Sequence, residues 1–465
     1  MYGKKYPLRK CTAFSIFLLL LTAPAITTAK TIYVDDDNPA DFNNVQAATN
    51  DSNDGDTIVV KDGTYTGDGN RDIDFKGKAI TVRSENGPTN CIIDCEASGC
   101  GFYFHSGEDE NSILDGFTIT NVYGFYGGAI KCDGGSPTIM NNTITRNHAH
   151  WGAGIWCDGS PVITNNTIVA NSADFGGGIY CRAGSPVIAN NTITRNIAHW
   201  CGGILCSGSP VITNNTITWN TGIADAGTGY PGGGIACDGS PTITNNTVIG
   251  NSAGEGGGIS LQFADLSSVI ANNTIAVNKA TRGGGICCLS SSPTITNCIL
   301  WGNTADIGPE IAAMRWPTHS PSILTVGYSN ITGCEVGIFL EEGSSLIWGN
   351  GNIDADPRFA DAAYGDYHLK SQAGRWNANE GRWTKDDRTS SCIDAGDPHS
   401  PIGLEPFPNG GIINMGAYGG TAEASKSYFG EPVCETIVAG DINGDCKVNL
   451  KDFALMAFHW LEDHQ

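Results

Sequence analysis

The chain has 465 residues, 62 of them glycine and 20 proline, with 16 % charged and 40 % hydrophobic side chains. Glycine at this level without a strict every-third spacing excludes collagen, and its cost in helix interiors disfavours a helical bundle. The hydrophobic share is enough for a packed core, and the net charge of −22 argues against nucleic acid or an anionic membrane as partner.

Taken in chain order, residues 1–29 open with Lys4, Lys5, Arg9 and Lys10, continue through an apolar run from Phe14 to Leu21 and end in small residues at Ala29. This is the pattern of a secretory signal cut after Ala29 or Ala25, and the expected location is secreted, extracellular or cell-surface. No other stretch approaches the ~20 apolar residues that span a bilayer, so no transmembrane segment is expected. Cys11 leaves with the leader. Export permits disulfides, with Cys91, Cys95 and Cys100 among themselves, Cys201 with Cys206 and Cys434 with Cys446 as close candidates, and spacing alone does not choose among pairings.

Residues 30–126 are expected to form an N-terminal cap and the first coils, with a short helix near Asn44–Thr49 ahead of a strand at Thr57–Val60. From Gly127 to Ile311 one phrase recurs: Gly-Gly-(Gly/Ala)-Ile-x-Cys, then Ser-Pro-x-Ile-x-Asn-Asn-Thr-Ile, then x-x-Asn-x-Ala. The Asn-Asn-Thr triplets begin at Asn141, Asn165, Asn190, Asn214, Asn245 and Asn272, followed by a degenerate Asn297-Cys298, at intervals of 24, 25, 24, 31, 27 and 25 residues. Such a period signals a solenoid. Short β-branched runs between Gly, Ser-Pro and Asn turns predict an all-β fold, a parallel β-helix of 24–25-residue coils with three strands per turn. Its regular repeats run over 127–320. Ile130, Ile155, Ile179, Ile204, Ile235, Ile259 and Ile286 should stack inside, with Cys132, Cys157, Cys181, Cys206, Cys237 and Cys288 sharing that face as buried thiols. The Asn pairs suggest asparagine ladders.

These repeats resemble the right-handed parallel β-helix proteins of the pectin-lyase-like superfamily over residues 30–320, and Asp41–Thr66 looks like their opening cap. The Gly-Gly-Ala-Ile at 127–130 and the Asn-x-Ala spacer also look like the chlamydial polymorphic membrane proteins, which are adhesins. Residues 350–420, with GNIDADPRFAD, GDYHLKS, SCIDAGDP and INMGAYGG, are similar to a C-terminal region of secreted bacterial β-helix proteins. Residues 321–430 are therefore expected to supply C-terminal coils and a cap. No set resembling that of polygalacturonases is present, and Asp397-Pro398-His399 matches the Asp-Pro-His of alginate epimerases without its flanking residues.

Outward positions form rows of their own. Lys131, Trp156, Tyr180 and Leu205 make one; Asp133, Asp158, Arg182 and Ser207 make another; Tyr126, Trp151, Phe175 and Trp200 lie at the preceding corner, after His150, Asp174 and His199. Flat rings stack on sugar faces, and charged groups handle uronates, so this region is a candidate polysaccharide groove with Trp156, Tyr180, Trp151 and Trp200 as substrate-binding residues. In lyases of the resembling superfamily, carboxylates hold Ca²⁺ against the uronate and an Arg or Lys takes its α-proton. By that resemblance Asp133 and Asp158, ~4.8 Å apart on adjacent coils, would share the cation, and Arg182 or Lys131 would be the base. The alternative is a non-catalytic cell-surface or adhesin-type protein; a third reading is a structural scaffold held through its tail.

The tail, 431–465, contains Asp-Ile-Asn-Gly-Asp-Cys-Lys-Val-Asn-Leu-Lys-Asp at 441–452. Asp441, Asn443, Asp445, Asn449 and Asp452 offer side-chain oxygens at positions 1, 3, 5, 9 and 12, and Lys447 a carbonyl at position 7, the donor pattern of a Ca²⁺ loop. Phe453, Met456, Ala457 and Trp460 then mark an amphipathic helix. This EF-hand-like loop–helix resembles one half of a type I dockerin, which implies Ca²⁺ as cofactor and a cohesin-like or cell-surface partner. Cys446 replaces the usual Gly at position 6, and a single loop stands where dockerins have two. The chain is expected to be monomeric.

Overall fold

The computed structural model describes residues 28–226, 232–264, 267–429 and 448–462, together with Gly3, Gly440 and Ile442. The apolar part of the leader, Cys434, Cys446 and the loop positions Asp441, Asn443, Asp445 and Lys447 lie outside the described residues.

The chain winds as a parallel β-helix. Four sheets run its length: a 13-stranded sheet A, two 11-stranded sheets B and C, and an eight-stranded sheet D. Each strand pairs in parallel with its counterpart one coil on, as in Ile130↔Ile155↔Ile179. The fourth sheet corrects the expectation of three strands per coil. From Tyr123–Tyr126 to Thr304–Ile307 the spacer segments also extend and pair, as Ala149↔Ala173↔Ala198 shows. Alanine in that inward row lets this side lie close to the core.

Three larger rows fill the interior: isoleucines 130–286 with the Cys132-to-Cys288 row from sheet C, Ile139–Ile295 from sheet A and Ile144–Leu300 from sheet B. Leu261 occupies the row where cysteine is missing. Each buried isoleucine contributes about 1.5–3 kcal/mol over its exposed state. The fourteen cysteines among the described residues are all free and all but Cys334 are buried, so the expected disulfides at Cys91–Cys100 and Cys201–Cys206 are absent there. Cys201 instead donates to the Ile204 carbonyl at 3.0 Å.

Turn chemistry sets the corners. The first Asn of each pair takes a left-handed conformation, φ +56° at Asn165, which its short side chain tolerates. The second turns inward. The amide of Asn142 donates to Asn166, Asn166 to Asn191, Asn191 to Asn215 and so on to Asn273, while a parallel ladder runs from Asn147 to Asn303 and ends on Glu310. At the Gly-Gly corner neighbouring coils touch: a Cβ on Gly154 would lie 2.3 Å from the Gly178 carbonyl.

At the N-terminus α1 (Val45–Asp51) is capped by Asn44, whose Oδ1 accepts the Ala47 N–H, and it buries Val45 and Ala48 over the first coil. At the other end the coils stop near Ile353. Residues 354–429 fold back along the outside of sheet B and do not stack as another coil. The outward asparagines of three coils hold them there: Asn245 donates to the Ala417 and Gly419 carbonyls, Asn272 to the Asn414 carbonyl and Asn297 to Ser400 Oγ. In the tail, α2 spans Leu450–Glu462.

Candidate functional site

The expected rows exist. Tyr103, Lys131, Trp156, Tyr180 and Leu205 align on sheet C, and Tyr126, Trp151, Phe175 and Trp200 on sheet D. Rings pack across coils: Trp151 to Phe175 at 5.4 Å, Phe175 to Trp200 at 6.1 Å and Trp151 to Tyr180 at 5.6 Å between centroids. The coil where the expected row starts, at Tyr126, also contributes Tyr123 and Phe125 to the strip. Tyr123 stacks on His148 and Phe125 on His150, and the two rings are 65 % and 61 % exposed. Trp156 departs from its expected role. It is only 4 % exposed, with the Lys131 ammonium 5.7 Å from its ring centre, so its ring offers no open face to a sugar.

The charged residues are brought together in pairs. Lys131 Nζ lies 3.6 Å from Asp133 and 4.2 Å from the Tyr103 ring centre, and Tyr103 Oη donates to Asp133 at 3.2 Å. Arg182 is bonded to Asp158, and His150 to Asp174. Asp133 and Asp158 therefore turn to different partners and not to a common point between them. A β-bulge after Cys181 places Ala183, not Arg182, opposite Asp158. The bond from Asp158 raises the Arg182 guanidinium above its ordinary pKa, which opposes a role as proton acceptor. His199 is exposed and joins neither His150 nor Asp174 in the ion pair.

Of the calcium-loop residues, Asn449 and Asp452 are described. Asp452 is buried, and its carboxylate accepts the backbone N–H groups of Ile442 and Asn449 at 2.8 and 2.7 Å, drawing the two ends of the loop together. That closure suits the last position of a cation loop. The three-membered carboxylate group found among the described residues, Asp35–Asp37, lies elsewhere, at the first coil.

The folded-back region carries chemistry that the sequence did not disclose. Buried His368 bridges Asp366, 2.7 Å from its Nδ1, and Glu423, 3.3 Å from its Nε2, with the Tyr418 ring stacked on it at 3.6 Å. Burial pushes the Tyr418 hydroxyl up to about 12. Arg375 clasps Asp366 and Asp386. Two hollows open along the seam with sheet B. One, of about 420 Å³, is walled by Asn214, Asn245, Thr247, Tyr418 and Glu423; the other, of about 520 Å³, by Trp301, Phe359, Tyr367, Arg358, Lys370 and Arg388. GDYHLKS contained part of this cluster, but its partners lie far away in sequence.

None of the helices among the described residues is long and apolar enough to cross a membrane. No curated protein matches the chain. Among solved structures, the fold is similar to that of pectate lyase Pel9A, at 16 % identity over 84 % of this chain and 97 % of that one, with a TM-score of 0.44. It is also similar to a PL6 alginate lyase in complex with trisaccharide, at 13 % identity over 82 % and 91 % of the two chains, TM-score 0.42. Residues 343–396 match a family described as disaggregatase related. The model of the right handed beta helix region matches residues 32–217 and 199–353, and the chain belongs to that family.

Proposed function

We propose that this is an exported protein that binds acidic polysaccharide along the aromatic strip of sheets D and C. The observation that carries the reading is the run of Tyr123, Phe125, His148, His150, Trp151, Phe175 and Trp200 over four consecutive coils beside paired charges, the first three exposed and the rest half-buried. Rings packed at coil spacing make a rigid apolar platform, and the imidazoles and carboxylates at its edge suit a hydroxyl-rich ligand. Trp151, Tyr180 and Trp200 belong to that platform; Lys131, Asp133, Asp158 and Arg182 orient the acidic groups of the bound chain. Because each cation among them is engaged by a carboxylate, binding without cleavage is favoured over lyase chemistry by these four residues.

The leader supports export. The 441–452 loop supports Ca²⁺ binding, with Asp452 closing it and Asp441, Asn443, Asp445, Lys447 and Asn449 as further ligands, and a cohesin-like or surface partner for the tail as in the resemblance. The test is affinity electrophoresis on polygalacturonate, alginate and neutral glucan with Ca²⁺, while unsaturated products are followed by ultraviolet absorbance. Retardation by the acidic glycans without new absorbance is expected, with F125A and W200A each losing at least half of it. Equal mobility of both variants and the parent on every glycan would refute the strip; unsaturated product lost in K131Q or R182Q would establish the lyase.

A further inference from the structure

The turn between sheets B and D also forms a row. Arg146, Ala170, Arg195, Trp219, Gly250, Val277 and Gly302 occupy the same left-handed position on successive coils, φ +48° to +65°. Backbone bonds tie them in order: Ala170 N–H to the Thr194 carbonyl, Arg195 to Thr218, Trp219 to Ile249, Gly250 to Ala276 and Val277 to Trp301. Left-handed backbone is the usual place for Gly or Asn, so two arginines and a tryptophan there bear the strain for some other reason. Gly250 shows what the tryptophan does. A Cβ on it would lie 2.8 Å from Cε3 and Cζ3 of Trp219, so the indole reaches across the next turn while remaining 58 % exposed.

The row leads into the larger seam hollow, which Val277 and Trp301 help to wall. On its far side the guanidinium of Arg358 is anchored by the Thr389 carbonyl at 2.8 Å, and Lys370 stands beside it. Lys279, exposed, begins the strand just after Val277. Arg146, Arg195, Lys279, Arg358 and Lys370 form no ion pair among the described residues, whereas Arg71, Arg182, Arg282 and Arg375 all do. Asp356 and Asp387 also line the hollow, Asp387 facing Arg388 at 3.9 Å, so three cations (Arg358, Lys370 and Arg388) outnumber two carboxylates there. Five cations without an ion pair along this turn row and hollow are unusual in a chain of net charge −22.

We propose that this turn row and the seam hollow form a second binding track, specific for an anionic glycan chain carrying uronate or sulfate groups. Arg146 and Arg195 are two coils apart, roughly 10 Å at the inter-strand spacing, comparable to one disaccharide. Trp219 supplies a stacking face between them and the hollow, where Trp301, Phe359 and Tyr367 receive one ring and Arg358 and Lys370 its acidic group. Duplex nucleic acid fits less well: its dense charge meets a strongly acidic protein, and it offers no isolated ring for the hollow. The track borders sheet D, with Arg146 two residues before His148, but it uses none of the strip's rings.

The test compares the full chain with R146Q/R195Q/R358Q/K370Q and with W219A, after thermal melts show both variants folded; R195Q/K370Q replaces the quadruple variant if that one melts early. Binding of polygalacturonate, dextran sulfate, neutral dextran and a 20-base-pair duplex is measured at low and high salt. The expected result is a tenfold or greater loss for the charge variant on one or both anionic glycans, a weaker salt dependence, and a severalfold loss for W219A. Preference between the first two probes identifies carboxylate or sulfate as the group read. Unchanged affinity in the charge variant overturns the proposal, as does tighter binding of the duplex than of either anionic glycan. F125A and W200A separate the two tracks, because the charge variant loses anionic-glycan binding even if those two lose nothing.

Discussion

Replacing Asn166 by alanine tests the account of what holds the coils in register. Its Nδ2 donates to the Ile139 and Thr164 carbonyls at 2.9 and 3.0 Å and to Asn191 Oδ1 at 3.0 Å, and its Oδ1 accepts the Asn142 backbone N–H at 2.9 Å and the Asn142 amide at 3.1 Å. Some partners keep other bonds: Thr164 still accepts from Asn141, and the Asn142 amide still reaches the Leu114 and Met140 carbonyls. The buried Asn142 N–H is left with no acceptor, at about 1–3 kcal/mol, and two further bonds are lost at about 1 kcal/mol each, so N166A should cost ~4 kcal/mol. Its neighbour is the control. Asn165 is exposed and contributes mainly its left-handed turn, which glycine also adopts, so N165G should cost less than about 1 kcal/mol. Urea unfolding followed by circular dichroism measures both, with the slope checked for constancy before midpoints are compared. An N166A shift no larger than that of N165G would refute the ladder as a source of stability.

Burial pushes the Glu310 carboxyl from its ordinary 4.5 up to about 7, and Asp394 and Glu405 also to about 7. The folded state therefore holds these protons more tightly than the unfolded chain: their stabilisation is complete below the ordinary carboxyl values and is lost as pH rises through about 7. The urea midpoint should fall between pH 5 and pH 8, with Glu310 contributing ~3 kcal/mol of the change; E310Q should flatten that part, and a midpoint rising over this window would contradict the assignment. In thiol labelling, native protein should modify Cys334 and leave the Cys132–Cys288 row untouched until denaturant is added. Burial raises the thiols of Cys132 and Cys181 well above 9, which withholds the reactive thiolate as well as access. Labelling of row cysteines at the Cys334 rate in native protein would count against a closed interior, as mass spectrometry of the labelled peptides would show.

The repeats could be read because each coil obeys the same local rule. An Asn-Asn pair needs one left-handed turn residue and one inward amide, and that rule places the next isoleucine inside without knowledge of the rest of the chain. The fourth sheet was harder to see, since Ala149, Ala173 and Ala198 are too small to announce an inward row. Trp156 shows a different limit: period-2 alternation assigns it outward, but the Lys131 side chain and the close Gly152 corner cover it. The bulge at Arg182 has a mark in the sequence, since Cys181 to Ser185 holds one residue more than Cys157 to Ser160, but that count alone does not say which side chain is displaced. The seam was illegible for a deeper reason. Residues 354–429 do not repeat, and their contacts with Asn245, Asn272 and Asn297 span 100 to 174 positions.

That fold-back also bears on the order of events at synthesis. Coils that touch only their neighbours can form one after another as the chain emerges, each templating the next. The coils around Asn245, Asn272 and Asn297 acquire their outer cover only when residues 397–419 have been made. Until then three polar corners and the rings of Trp301 and Tyr367 lack their final surroundings. The segment thus works as a late latch: it couples distant coils that would otherwise open independently, and the larger seam hollow does not exist until it closes.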